Sequence, residues 1–263
     1  MLILKDFKQI SSKDNSLIKL ISKLQTSKKS RYENGLFVLE GLRICKDALE
    51  NGTMFDKLII SNSAHEKSYS DIETLAENAI ECIEIPDYIF EKLSDTKSPQ
   101  GILAVCKMQK ISTEKIDLNG KYLAFENVSD PSNLGAVART CEALGVSGII
   151  LSNDGCDPYS PKVLRASMGT LLRMPLFILE DFANDLSKLS LKKYACVVDA
   201  DALSIKSVDF KEGSIVIIGN EANGITNETK LVSDFEVTIK MAGKAESLNA
   251  AAAAAIAVWE MMK

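Results

Sequence analysis

The chain has 263 residues, 46% of them hydrophobic and 25% charged, with a formal net charge of −5. Two globular domains, each large enough to bury its own core, suit that length and balance. The acidic net charge argues against indiscriminate nucleic-acid binding. No apolar run is long enough to span a membrane, and the start lacks an apolar signal segment, so a cytoplasmic protein is expected.

Charge is uneven along the chain. Residues 1–31 hold eight Lys/Arg, including Lys28, Lys29 and Arg31, against Asp6 and Asp14. Such a segment can face phosphates. It equally fits a solvated helix over 14–27 whose apolar stripe is Leu17, Ile18, Ile21 and Leu24. A strand at 36–39 and a helix from about 41 follow. Strands at 58–60 and 80–85, a helix at 87–93 and a strand at 101–107 complete a small α/β domain, 1–106. Residues 107–120 are polar and without period, with Asn119-Gly120 as a turn signal, and make a linker.

The alternation restarts in a second domain, 121–263: strand 122–125, helix 133–144, strand 148–151, then strands at 175–179, 194–199, 214–218 and 235–239 and a last helix from about 247. Repeated strand and helix units predict an α/β fold with a parallel sheet covered on both faces. The last helix contains six alanines, 250–255, and then Ile256 and Trp259, which suits a tightly packed or subunit-facing helix.

The six cysteines lack a CxxC pair and lie mostly in apolar runs, and His65 is the single histidine, so neither a zinc site nor a histidine-centred triad is expected. Three polar, glycine-punctuated stretches stand where strands would meet helices. They are Asp130-Pro-Ser-Asn-Leu-Gly-Ala-Val-Ala-Arg139, Gly219-Asn-Glu-Ala-Asn-Gly224 and Met241-Ala-Gly-Lys-Ala-Glu-Ser-Leu-Asn249. They can converge at one edge of a parallel sheet. Singly, each also reads as ordinary capping: Asp130 or Asn133 capping one helix, Ser247 or Asn249 the other. Glu221 directly after an apolar strand asks for a partner, for which Arg139 is the candidate. Dinucleotide, P-loop, zincin and hydrolase motifs are missing.

In this order and spacing, the three stretches resemble the signature motifs of the SpoU (TrmH-like) branch of the SPOUT RNA methyltransferases. Tyr159-Ser-Pro-Lys-Val-Leu-Arg-Ala-Ser-Met-Gly169 resembles a further family segment. Arg31, Phe37-Val-Leu-Glu-Gly41 and Ser98-Pro-Gln-Gly-Ile-Leu-Ala104 resemble the family's RNA-binding domain, similar to a small ribosomal protein. The resemblance implies an S-adenosylmethionine-dependent ribose 2′-O-methyltransferase with a deep trefoil knot, acting as a homodimer on ribosomal RNA, 23S above all, without a metal. A tRNA methyltransferase and a non-catalytic RNA-binding assembly factor are the alternatives.

By the same resemblance, Asn133, Arg139, Glu221 and Asn249 form the catalytic cluster. Gly219, Gly224, Ile239, Met241 and Leu248 hold the methyl donor, and Lys28, Lys29, Arg31, Arg165 and Ser167 contact RNA. The chain departs from the family at Lys240, where proline is usual, and in the alanines after Asn249. A guanidinium stays protonated, so Arg139 is read as a phosphate clamp and oxyanion stabiliser rather than a base.

Overall fold

In the computed structural model, which describes residues 6–67, 69–109 and 112–263, the chain divides into two units. One is Met1–Gln109 with Tyr159–Arg165, the other Lys110–Pro158 with Ala166–Lys263. The linker expected at 107–120 includes residues 110–111, which lie outside the described residues. Its later part belongs to the second unit, where Ile116 is buried in the core and the Asp117 amide donates to the Tyr122 hydroxyl oxygen at 2.8 Å.

The first unit contains β1 (Phe7–Gln9), α1 (Ser16–Thr26), α2 (Lys28–Asn34), β2 (Leu36–Glu40), α3 (Leu42–Glu50), β3 (Phe55–Ser61), α4 (Asn62–Lys67), α5 (Tyr69–Glu77), β4 (Ala79–Ile85), α6 (Asp87–Leu93) and β5 (Ile102–Lys107). Its sheet runs β1-β4-β3-β5-β2, with β5 antiparallel to both neighbours and the remaining pairs parallel. Asn15 starts α1 by accepting the Leu17 amide at 2.8 Å, and Ile18, Ile21 and Leu24 turn inward against Val38, Ile83 and Phe90. α2 has no apolar period and was not expected. Its caps define it: the Ser27 hydroxyl accepts the Ser30 amide, and Gly35 closes it in the left-handed region at φ 63°. Residues 159–165 join this unit through Tyr159, whose ring meets Phe37 at 5.0 Å, and through Arg165, paired with Asp95 at 2.5 Å.

The second unit contains β6 (Lys121–Phe125), α7 (Pro131–Leu144), β7 (Gly148–Ser152), α8 (Pro161–Ala166, of which Ala166 alone falls here), α9 (Thr170–Arg173), β8 (Leu176–Leu179), α10 (Phe182–Ser187), β9 (Lys192–Cys196), β10 (Leu203–Ser204), β11 (Ser214–Ile218), α11 (Asn227–Leu231), β12 (Phe235–Thr238) and α12 (Ala250–Met261). Its seven strands run β10-β12-β9-β11-β6-β7-β8, all parallel, as the alternation predicted. Every residue of β7 and β11 is buried, which is why both read as unbroken apolar runs. From β6 the chain builds outward through β7 and β8, then crosses to β9 on the far side of β11. That reversal puts a topological switch beside β6 and β11, where loops at the carboxyl ends part and leave a crevice.

α12 packs on α7, β11 and β6. It begins at Ala250 rather than near 247, because the Asn249 side-chain oxygen accepts the Ala251 and Ala252 amides and so fixes the N-cap. α7 approaches its neighbours backbone to backbone. A Cβ on Gly135 would stand 2.3 Å from Ala166 Cβ and 2.7 Å from the Ser167 nitrogen.

Candidate functional site

At the carboxyl ends of β9, β11 and β12 a cleft of about 460 Å3 opens in the second unit. Ile218, Ile239, Met241 and Leu248 give it apolar walls, while Asp199, Lys230 and Glu246 add charge at its edge. One side is the loop 219–224, which folds back on itself. Asn220 and Gly224 exchange both backbone hydrogen bonds, at 3.0 and 2.9 Å. The turn leaves no space at Gly219, where a Cβ would lie 2.2 Å from the Gly224 carbonyl carbon.

Asn220 is the organiser of that loop. Its side-chain oxygen accepts the amides of Ala222 at 2.9 Å and Asn223 at 3.1 Å, and its Nδ2 donates to the Asn127 carbonyl at 2.7 Å. The loop is thereby tied to the segment between β6 and α7. Glu126 ties it a second time. This carboxylate is 4% exposed and accepts the Thr226 amide at 2.9 Å, the Thr226 hydroxyl at 2.6 Å and the Thr229 hydroxyl at 2.7 Å, which fixes the entry to α11.

Three of the four residues expected to form a catalytic cluster touch one another. Glu221 accepts from the Ser129 amide and hydroxyl at 3.3 Å, the Asp130 amide at 3.4 Å and Asn133 Nδ2 at 2.9 Å. A carboxylate can only accept, so Asn133 must turn its amino group toward Glu221, leaving its oxygen for Asn249 Nδ2 at 3.1 Å. Asn249 in turn caps α12 with its own oxygen, and the relay joins the first, second and third motifs in one line. Burial alone would raise the Glu221 carboxyl, but the donors from Asn133, Ser129 and Asp130 outweigh it and hold it below its ordinary value of 4.5.

Arg139 does not pair with Glu221, contrary to expectation. Residues six apart on a helix stand about 120° apart around its axis, so Arg139 leaves the buried side on which Asn133 sits. It is exposed and forms no ion pair among the described residues. The glycine turn and the apolar residues expected at a donor site, Gly219, Gly224, Ile239, Met241 and Leu248, all line the cleft.

The expected RNA contacts are dispersed, and two are corrected. Arg31 is 4% exposed, and its guanidinium donates to the Leu24 carbonyl at 2.5 Å, so it closes the end of α1 rather than facing phosphates. Ser167 is fully buried where α7 packs at Gly135. Arg165 pairs with Asp95 through one amino group only, Lys29 lies 3.7 Å from Glu33, and Lys28 sits 5.6 Å over the Tyr32 ring. Ser129, Asn220 and Glu126 were missed. For Glu126 a signal existed, since it follows the apolar strand β6 directly, whereas Gly219 and Asn220 separate Glu221 from β11.

The second unit's all-parallel sheet gathers glycine turns and a polar relay at its switch point, and the chain as a whole comprises two α/β units. Residues 120–259 match the SpoU rRNA Methylase family, and residues 15–104 the MRM3-like substrate binding domain. The chain therefore belongs to the SpoU rRNA methylase family, the one its motifs resemble. It is 30% identical over 256 residues to the 23S rRNA (guanosine(2553)-2′-O)-methyltransferase RlmP of Bacillus subtilis, covering 97% of this chain and 99% of that one. The 23S rRNA (uridine(2479)-2′-O)-methyltransferase of Streptomyces viridochromogenes is 28% identical, covering 90% and 86%. Among solved structures, the AdoMet-bound rRNA methyltransferase from Sinorhizobium meliloti superposes with a TM-score of 0.83 at 28% identity, covering 97% of each chain. Among the described residues no helix is long and apolar enough to cross a membrane, and no cluster of three metal-ligating side chains exists.

Proposed function

We propose that this protein is an S-adenosylmethionine-dependent methyltransferase that modifies one ribose 2′-hydroxyl of 23S ribosomal RNA in the cytoplasm. The observation that carries the reading is the meeting of the cleft with the relay of Glu221, Asn133 and Asn249: the loop 219–224 supplies both a cleft wall and Glu221.

The cleft fits a nucleoside-sized ligand. Its volume of about 460 Å3 lies in the range of small-molecule sites, roughly 300–1,000 Å3, and its walls are apolar with a few polar groups at the edge. Ile239, Met241 and Leu248 would pack on the donor, and the turn at Gly219 and Gly224 would present backbone groups to it. S-adenosylmethionine, when bound, supplies the electrophilic methyl carbon.

The protein's own part is position and electrostatics. Glu221 already accepts from Ser129, Asp130 and Asn133, so its role is to hold Asn133 rather than to take a proton. Arg139, permanently charged and exposed, is suited to grip an RNA phosphate and to stabilise the developing oxyanion, with the proton passing to water. Replacing Arg139 by lysine is expected to lower turnover about 10²-fold with unchanged donor affinity, in a transfer assay on 23S rRNA; full turnover would end the clamp role. In the same assay, label in tRNA instead of 23S rRNA would overturn the choice of substrate.

The named relatives act on different nucleotides, a guanosine and a uridine, so the base is not fixed by what the catalytic units share. Choice of RNA falls to the N-terminal unit, residues 1–106 as the sequence divides it, ahead of a linker at 107–120 and the catalytic domain at 121–263. The trefoil knot belongs to the same reading, supported by the return of α12 from β12 to α7, β6 and β11.

So does the homodimer. Ala252, Ile256 and Trp259 form an exposed apolar stripe on α12, with Ile256 at 37% and Trp259 at 56% exposure, and α12 packs on the helix that carries Arg139. Trp259→Glu is expected to halve the mass seen by light scattering and to lower methyl transfer with it. A wild-type protein that runs as a monomer would contradict the dimer.

A further inference from the structure

Between α1 and α6 lies a separate cleft of about 380 Å3. Lys13, Lys19, Lys23 and Lys92 rim it, and Ile89 and Leu93 form its floor with Ile18. Lys19 is 3.1 Å from Asp14, whereas Lys13, Lys23 and Lys92 form no ion pair among the described residues. Lys23 and Lys92 each stand in the last turn of their helix, where the backbone dipole favours a cation. That effect accounts for neither Lys13 nor the convergence of all four around an aliphatic floor. In a chain of net charge −5, this concentration of one sign marks an anionic partner.

We infer that this cleft grips an unpaired segment of RNA, with the lysine heads on successive phosphates and one base resting on the aliphatic lysine stems above the buried Ile89 and Leu93. The inference deepens the proposed function by placing the RNA grip of the N-terminal unit here, rather than at Lys28, Lys29 and Arg31. A positive groove around an apolar platform suits single-stranded nucleic acid: the charge follows the backbone, and any base offers a face to pack. The aliphatic stems of the lysines extend the apolar surface while their heads stay in water.

The test is fluorescence anisotropy of the full-length protein with a fluorescein-labelled single-stranded oligoribonucleotide across a salt series. The triple variant Lys13→Gln, Lys23→Gln, Lys92→Gln is compared with Lys8→Gln, Lys46→Gln, Lys57→Gln, which removes equal charge from lysines already paired with carboxylates in the same unit. The cleft variant is expected to bind more weakly, with a log–log salt slope shallower by about 2, at roughly 0.7 per phosphate contact on a single strand. The paired-lysine variant should keep both affinity and slope, and both variants should bind S-adenosylmethionine as the wild type does.

Equal loss in the two triples, or loss in neither, overturns the cleft while leaving the methyltransferase reading intact. Lysine-dependent binding to phosphatidylserine vesicles or to an acidic peptide, with RNA binding unchanged, overturns it as an RNA site. Lysine-dependent RNA binding by a protein that methylates no RNA would uphold the cleft and sink the proposed activity.

Discussion

Gly219→Ala is expected to remove S-adenosylmethionine binding, with a rise in Kd of at least about 10²-fold by isothermal titration calorimetry. The reason is local. The added methyl would lie 2.2 Å from the Gly224 carbonyl carbon and 2.4 Å from its oxygen, and both are backbone atoms that cannot swing aside. The pair of hydrogen bonds between Asn220 and Gly224 must open, and the cleft wall moves with it. Overpacking of this kind costs about 1–3 kcal/mol, so a fall in Tm of roughly 2–4 °C per kcal/mol should accompany the loss of binding. Gly243→Ala is the control. It lies on the loop of the third motif, where an added Cβ meets nothing within 4 Å, and donor binding should not change.

The second large effect is expected at Asn133, the middle of the relay. Asn133→Ala should reduce kcat about 10²-fold while leaving the donor Kd within about twofold, because the residue aligns the site and is not among those lining the cleft. The truncation leaves Glu221 and Asn249 each without a partner on that side. Asn133→Asp should be worse as pH rises. It puts a second carboxyl within 2.9 Å of Glu221, and two carboxylates at that distance must share a proton. Unchanged kcat in Asn133→Ala, measured at saturating RNA and donor, would show that the relay is structural only.

Much of this was legible in the chain because its strands are simple. β7 and β11 are buried on both faces and read as apolar runs, and β11 was delimited to the residue at 214–218. The three motifs were found because glycines and caps at strand ends leave a local trace, and the family followed from them. What escaped depends on contacts across the chain. α2 is a helix made by its caps, with no periodic face to detect. Residues 159–165 lie far along the chain from the unit they join, through Phe37 and Asp95. Charge alone marks Arg31 as a surface cation and does not reveal that it closes the end of α1. Likewise, the partner of Glu221 was expected to be a charge and is instead a set of neutral donors, an arrangement visible only when Ser129, Asp130 and Asn133 are brought beside it.

The central claim is ribose methylation of 23S rRNA, and its most direct test is transfer of labelled methyl from S-adenosylmethionine to total RNA from a strain lacking this gene, with the modified nucleosides resolved by mass spectrometry. One 2′-O-methylated nucleotide in 23S rRNA is expected, missing from the deletion strain and restored by the protein. Label confined to tRNA, label on a base rather than a ribose, or donor binding with no transfer to any RNA would contradict it.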